Sequence, residues 1–134
     1  MIDDEPAIRG LVARIVERAG LEVDTARDGA EAIAMLDEAD YAVVVVDLMM
    51  PRVDGYEVIE QIRQTTRPKP AVIVATAADA PTLRLLDGTV VHSIVRKPFE
   101  IDVLGDLITA AAEMVRRERE KERQVLPFDR KRGG

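Results

Sequence analysis

Five side chains in this sequence are of types that do chemistry together: the paired acids Asp3 and Asp4, the acid Asp47, the hydroxyl of Thr76 and the amine of Lys97. Asp47 follows a β-branched run at 43–46, Thr76 follows the apolar run 71–75, and Lys97 closes the run 90–95 two residues on. Alone, an Asp after such a run is most often a turn former or a helix cap. Here its company changes the weight, because carboxylate, hydroxyl and ammonium all fall at the ends of apolar runs. Carboxylates are the hard oxygen donors that a small divalent cation prefers. Lysine is a compact cation suited to developing anionic charge.

Secondary structure must bring these residues to one place. Residues 5–19 carry Ile8, Leu11, Val12, Ile15, Val16 and Ala19 at three- and four-residue spacing. That is one face of a helix, with Asp4 the expected N-cap, Pro6 in the first turn and Gly20 the stop. Leu21, Val23 and Thr25 alternate with polar residues and predict a short strand. Asp28-Gly29 starts a second helix whose face is Ala30, Ile33, Ala34 and Leu36. The run 42–46 does not alternate, which predicts a strand covered on both faces. Past Pro51 and Asp54-Gly55, a third helix over 56–64 turns Val58, Ile59 and Ile62 inward. A second covered strand spans 71–75, a weak helix spans 80–87 before Gly88, and a last strand spans 90–95. After Pro98 a long helix sets Ile101, Leu104, Ile108, Ala111 and Val115 on one face. Strand and helix thus alternate with short connections, which predicts a doubly wound parallel sheet with helices on both faces. In such sheets the functional crevice lies at the carboxyl ends of the strands, where Asp47, Thr76 and Lys97 fall, with Asp3 and Asp4 just ahead of the first helix.

Composition narrows the classes. At 134 residues and 47% apolar, the chain makes one domain with a real core. It has no Cys and one His, which excludes disulfides, thiol catalysis, Cys-based zinc or iron–sulfur sites and His-pair zinc motifs. Its longest strongly apolar run, 41–46, is far short of a membrane span, and the acidic start is the wrong sign for a signal peptide. No membrane partner is expected, and the default address is the cytoplasm. The net charge of −6 argues against coating nucleic acid by bulk charge. That charge is uneven: residues 1–112 sum to −9 and residues 113–134 to +3.

Asp3-Asp4-Glu5-Pro6, then Asp47-Leu48-Met49-Met50-Pro51-Arg52-Val53-Asp54-Gly55, then Thr76-Ala77, then Lys97-Pro98-Phe99 resembles the CheY-like receiver domain of bacterial response regulators. The similarity covers about residues 1–115, with 116–134 a charged helical extension and disordered tail. The resemblance implies a flavodoxin-like five-stranded parallel sheet and a phosphoacceptor role in two-component signalling, with no multiple turnover. Asp47 would take a phosphoryl group from a histidine kinase or phosphotransfer protein. Asp4 would bind Mg²⁺ directly, Asp3 through a water, and Asp47 and the Met49 carbonyl would complete the protein ligands, with Mn²⁺ an alternative ion. Thr76 and the Ala77 amide would hydrogen-bond the phosphoryl oxygens. Lys97 would pair with Asp47 or its phosphoryl group, across a cis bond to Pro98. Phosphoryl transfer needs positioning and charge neutralisation more than covalent help, which suits this set. A downstream protein target and a monomer or weak dimer are expected. Apolar Met49 and Ala78 orient water poorly, which predicts a long-lived phosphoryl state.

Two departures from the family stand out. Receivers carry an apolar strand before the acid pair, whereas this chain offers Met1 and Ile2, so the first strand is expected to be truncated or nearly absent. A start upstream of Met1 is favoured over a short stub or a filler at Val125-Leu126-Pro127-Phe128. Ile94 stands where many receivers carry an aromatic switch residue alongside Thr76, so activation must proceed without that ring. His92 is expected on a strand surface. Residues 116–123 carry no apolar side chain and would extend the last helix into solvent, with pairs such as Glu113–Arg117. The rival identities are a receiver fragment of a larger regulator or hybrid kinase, an aspartyl-phosphate phosphohydrolase, and an inert scaffold.

Overall fold

The computed structural model of the chain describes residues 1–3, 5–49, 55–77, 83–84, 86 and 88–133, with 122–133 as backbone alone. Asp4, Ala78 and most of the weak helix expected over 80–87 lie outside the described residues.

Helix α1 (Pro6–Arg18) starts with proline in its first turn, where a missing N–H breaks no helical bond. Its N-cap is Glu5 rather than Asp4, and no side chain caps it. At the other end Gly20 turns with φ +86°, a conformation that suits glycine, and its N–H donates to the Glu17 carbonyl at 2.9 Å. Helix α2 (Gly29–Glu38) is capped as the sequence predicts: the Asp28 side chain accepts from the Glu31 N–H at 2.9 Å. Strand β1 (Val43–Val46) follows, then helix α3 (Gly55–Gln64), strand β2 (Ala71–Thr76), strand β3 (Val91–Arg96) and helix α4 (Ile101–Gly133).

The three strands form a parallel sheet in the order β1-β2-β3. β2 is buried at every residue, as its unbroken apolar run predicts, whereas β3 alternates between half-buried and exposed. Side chains alternate across the sheet. Val44, Val46, Val72 and Val74 pack with Ala32 of α2 and Val58, Ile59 and Ile62 of α3. Val45, Ile73 and Ala75 pack with Val12 and Val16 of α1 and Leu104, Ile108, Ala111 and Val115 of α4. Each buried Val, Leu or Ile among them contributes about 1.5–3 kcal/mol of burial free energy.

Beyond β1 the five-stranded expectation thins to single rungs. Ile2 bridges Val46 on one side and Ala26 on the other, both parallel. The strand expected over Leu21, Val23 and Thr25 does not form, and its neighbourhood carries one bridge at Ala26. Alternation becomes a ladder only where a neighbour supplies backbone groups, and Met1–Asp3 reach no further upstream than the Asp24 carbonyl.

α4 departs from expectation at its far end. Its backbone stays helical through Gly133, where a disordered terminus is expected from the polar sequence. Past Val115 the helix is supported by ion pairs: Arg116 with Glu113 and with Glu120 (2.8 Å), and Arg117 with Glu113 (3.1 Å). Arg119 adds a hydrogen bond to the Tyr41 carbonyl at 3.1 Å. Among the described residues no helix is long and apolar enough to cross a membrane.

Candidate functional site

Asp47 leaves the end of β1 nearly buried, at 4% exposure. Its own N–H donates to the Ile2 carbonyl at 3.0 Å, so the amino-terminal stub fixes the residue in place. One carboxylate oxygen, Oδ1, accepts from the Met49 N–H and from the Thr76 hydroxyl, each at 3.0 Å. The other, Oδ2, accepts from Lys97 Nζ at 3.0 Å. Thr76 ends β2, is fully buried, and its carbonyl accepts from the Lys97 N–H at 2.8 Å. The Lys97–Pro98 peptide is cis.

Asp3 is fully buried on the opposite side of the same amine. Lys97 Nζ donates to its Oδ2 at 2.7 Å, and the Glu5 N–H donates to its Oδ1 at 2.9 Å. Glu5 Oε1 lies 3.5 Å from the same Nζ. Burial alone would lower the Lys97 pKa. Hydrogen bonds to Asp3 and Asp47, with the charges of both, outweigh it and push the value above the usual lysine range. Lys97 is therefore a fixed cation.

The described geometry gathers Asp3, Asp47, Thr76 and Lys97 within hydrogen-bonding distance. Ala77 follows Thr76 directly at the surface, and the Met49 side chain is 62% exposed while its amide faces Asp47. Ile94 stands apart on β3 at 44% exposure. His92 is exposed on the same strand, where its ring meets the Ser93 hydroxyl at 2.9 Å.

Three supporting residues escape a reading by residue type. Arg9 donates to the Asp3 carbonyl at 2.7 Å, one helical turn beyond Glu5. Glu5 supplies both an amide and a carboxylate to the cluster. Gly55 leaves no room for a side chain: a Cβ there would meet the Asp47 carbonyl oxygen at 2.4 Å and Leu48 Cα at 2.7 Å. The Asp54-Gly55 dipeptide signals a turn, but its contact with the acid-bearing strand end depends on the fold.

Two buried carboxylates against one ammonium leave excess negative charge in an all-oxygen donor set. Among the described residues no three acid or His side chains gather for a metal, and Asp4 lies outside them. Donor type and charge nevertheless fit a small, hard divalent cation, which prefers one or two carboxylates and keeps several waters. Such an ion would compete with Lys97 for the same oxygens.

The fold and site together define a parallel α/β domain with buried acids, a hydroxyl and a lysine at the carboxyl ends of its strands. The family model described as "Response regulator receiver domain" matches residues 1–109, and the chain belongs to that family. Its members are signalling domains of two-component systems, not multiple-turnover enzymes. The chain is 40% identical over 106 residues to the transcriptional regulatory protein TcrA of Mycobacterium tuberculosis, covering 78% of this chain and 41% of that one. It is 32% identical over 121 residues to the sensor histidine kinase RcsC of Escherichia coli, covering 90% of this chain and 13% of the kinase. The response regulator TrrA of Thermotoga maritima, solved in complex with Mg²⁺-BeF, superposes with a TM-score of 0.71 at 31% identity, covering 82% of this chain and 94% of that one. The chain thus spans less than half the length of these two curated relatives.

Proposed function

We propose that Asp47 is a phosphoacceptor that takes a phosphoryl group from a phosphohistidine of a histidine kinase or phosphotransfer protein. The observation that carries this is the buried Asp47 carboxylate, engaged at once by Lys97 Nζ, the Thr76 hydroxyl and the Met49 amide. An Asp47 oxygen attacks phosphorus as the phosphorus–nitrogen bond breaks, and the leaving imidazole keeps the electron pair and takes a proton from solvent. Lys97 Nζ, already bridging to Asp47, neutralises charge growing on the transferred group. The Thr76 hydroxyl and the Ala77 N–H donate to its oxygens. Asp3, Asp4, Asp47 and the Met49 carbonyl would hold Mg²⁺, with Mn²⁺ as the alternative ion. When bound, the ion offsets phosphoryl charge and fixes oxygen positions.

The domain in this reading is residues 1–115, ending with the last buried residue among the described side chains of α4, with 116–134 a charged extension and tail. Its address is the cytoplasm, its output passes to a protein target by conformational change or phosphorelay, and it works as a monomer or weak dimer. Ile94 offers no ring, so output does not run through an aromatic there. Match lengths favour a second reading, a receiver module of a larger regulator or hybrid kinase. A phosphohydrolase of the common aspartyl-phosphate kind would need a second Asp two residues after the nucleophile, where Met49 stands. Incubation with a small phosphodonor and Mg²⁺ tests the proposal. One phosphoryl group per chain, lost in Asp47→Asn, is expected. Rapid turnover of the donor would move the assignment to a phosphohydrolase, and no uptake would overturn it.

A further inference from the structure

The Lys97 ammonium carries three N–H donors, and the carboxylates of Asp3, Asp47 and Glu5 all stand within ion-pair distance of it. Two of these acids are built into the protein. Asp3 is fully buried, and its Oδ1 also accepts from the Glu5 N–H. Asp47 is nearly buried, and its Oδ1 also accepts from the Met49 N–H and the Thr76 hydroxyl. Glu5 differs from both. Its Oε1 lies 3.5 Å from Lys97 Nζ, against 2.7 Å and 3.0 Å for the buried pair, and its side chain is 59% exposed. Glu5 also stands at the N-cap of α1, where a carboxylate can turn back to accept from a first-turn N–H. It makes no such bond. The carboxylate reaches across to Lys97 instead, on a solvated side chain able to follow the ammonium.

We propose that Glu5 is a positioning residue for Lys97, the partner that takes the ammonium when a divalent cation engages Asp3 and Asp47. The inference rests on the reading of this site as one that holds Mg²⁺. Lys97 and the ion are drawn to the same two carboxylates. Leaving the ammonium in place sets two cations against each other in a pocket where charge is poorly screened. Sending it into solvent strips the site of the amine that faces the transferred phosphoryl group. Glu5 avoids both. It offers a carboxylate already beside Nζ on the exposed side, so the ammonium keeps a counter-charge and stays close to Asp47. The root of that side chain is fixed, because the Glu5 N–H is bonded to Asp3 Oδ1. Only the side chain has to move. By linkage, a residue that eases the displacement of Lys97 tightens the binding of the ion. A negative charge that merely stood nearby would tighten it too, but without needing to reach Nζ.

Three chains separate contact from charge: the parent, Glu5→Gln, which removes the charge, and Glu5→Asp, which keeps it but draws the carboxylate back by one methylene. Calorimetric titration with Mg²⁺ reads the affinity of each. Both variants are expected to raise the Mg²⁺ Kd by about fivefold, the scale of one partly exposed ion pair. The metal-free Tm of Glu5→Gln should stay within about 2 °C of the parent. Spectra of chains labelled at lysine Nζ follow the ammonium itself. The Lys97 signal should persist in the parent at saturating Mg²⁺ and vanish through fast proton exchange in Glu5→Gln. A Glu5→Asp chain that binds Mg²⁺ as the parent does would reduce the effect to charge and overturn the proposal. A Lys97 signal lost from the loaded parent would also overturn it, since Glu5 would then hold the ion and not the amine. Equal Kd values in all three chains remove the inference alone, whereas a parent that binds no Mg²⁺ removes the metal reading and the inference with it.

Discussion

Lys97 holds two buried acids from distant parts of the chain, and its loss leaves both without their cation. Lys97→Met is expected to destabilise the fold by about 3 kcal/mol in metal-free buffer, the range for breaking one side of a buried ion pair. Urea unfolding with and without Mg²⁺ reads this directly, and the loss should shrink when the ion is present. Tyr41 gives a pH-dependent effect away from the site. Its hydroxyl donates to Asp24 Oδ2 at 2.7 Å, and burial, that hydrogen bond and the nearby Asp24 and Glu38 charges push its pKa up to about 12. The folded chain then keeps a proton that the unfolded chain loses near 10, so folding binds more protons and stability falls as pH rises between those values. Tyr41→Phe should flatten the Tm profile in that window relative to the parent. An unchanged slope would show that the hydroxyl is not the source.

Elements set how tightly the site is built. Gly55 opens α3 where the backbone of Asp47 and Leu48 passes, and Gly55→Ala forces backbone apart rather than a side-chain tip. A loss of more than about 2 kcal/mol is expected, together with slower labelling of Asp47. Normal stability and labelling would mean that the contact relaxes freely. The covered runs at 43–46 and 71–75 were legible because an apolar stretch without alternation has few other homes in a small α/β domain. Asp47 and Thr76 were legible for the same reason, since each closes such a run, whereas Lys97 follows the alternating strand β3 and was legible from its Pro98-Phe99 neighbours. The strand expected over 21–25 was not, because alternation is local whereas a ladder needs a neighbour. Arg9 and Glu5 support Asp3 through backbone groups, which residue type does not reveal. Past Val115, α4 runs against polar composition, and as far as Glu120 opposite charges spaced three and four residues apart support it.

At the scale of the whole molecule, charge decides what strengthens the fold. The chain carries −6 overall, and its buried site holds two acids for one amine. Mg²⁺ at ten times its Kd is expected to add about 1.4 kcal/mol by mass action and to raise Tm by several degrees. In Asp47→Asn the rise should fall away, and a Tm indifferent to Mg²⁺ in the parent would remove the metal from the site.

Lys97 also reinforces, through side chains, the single backbone bridge between the amino-terminal stub and β1. Its Nζ spans Asp47 at the close of one strand and Asp3, whose carbonyl Arg9 of α1 grips. Whatever alters the pull at one end of this tether is felt at the other. The first turn of α1 and the close of β1 are thus held to one another through a single ammonium.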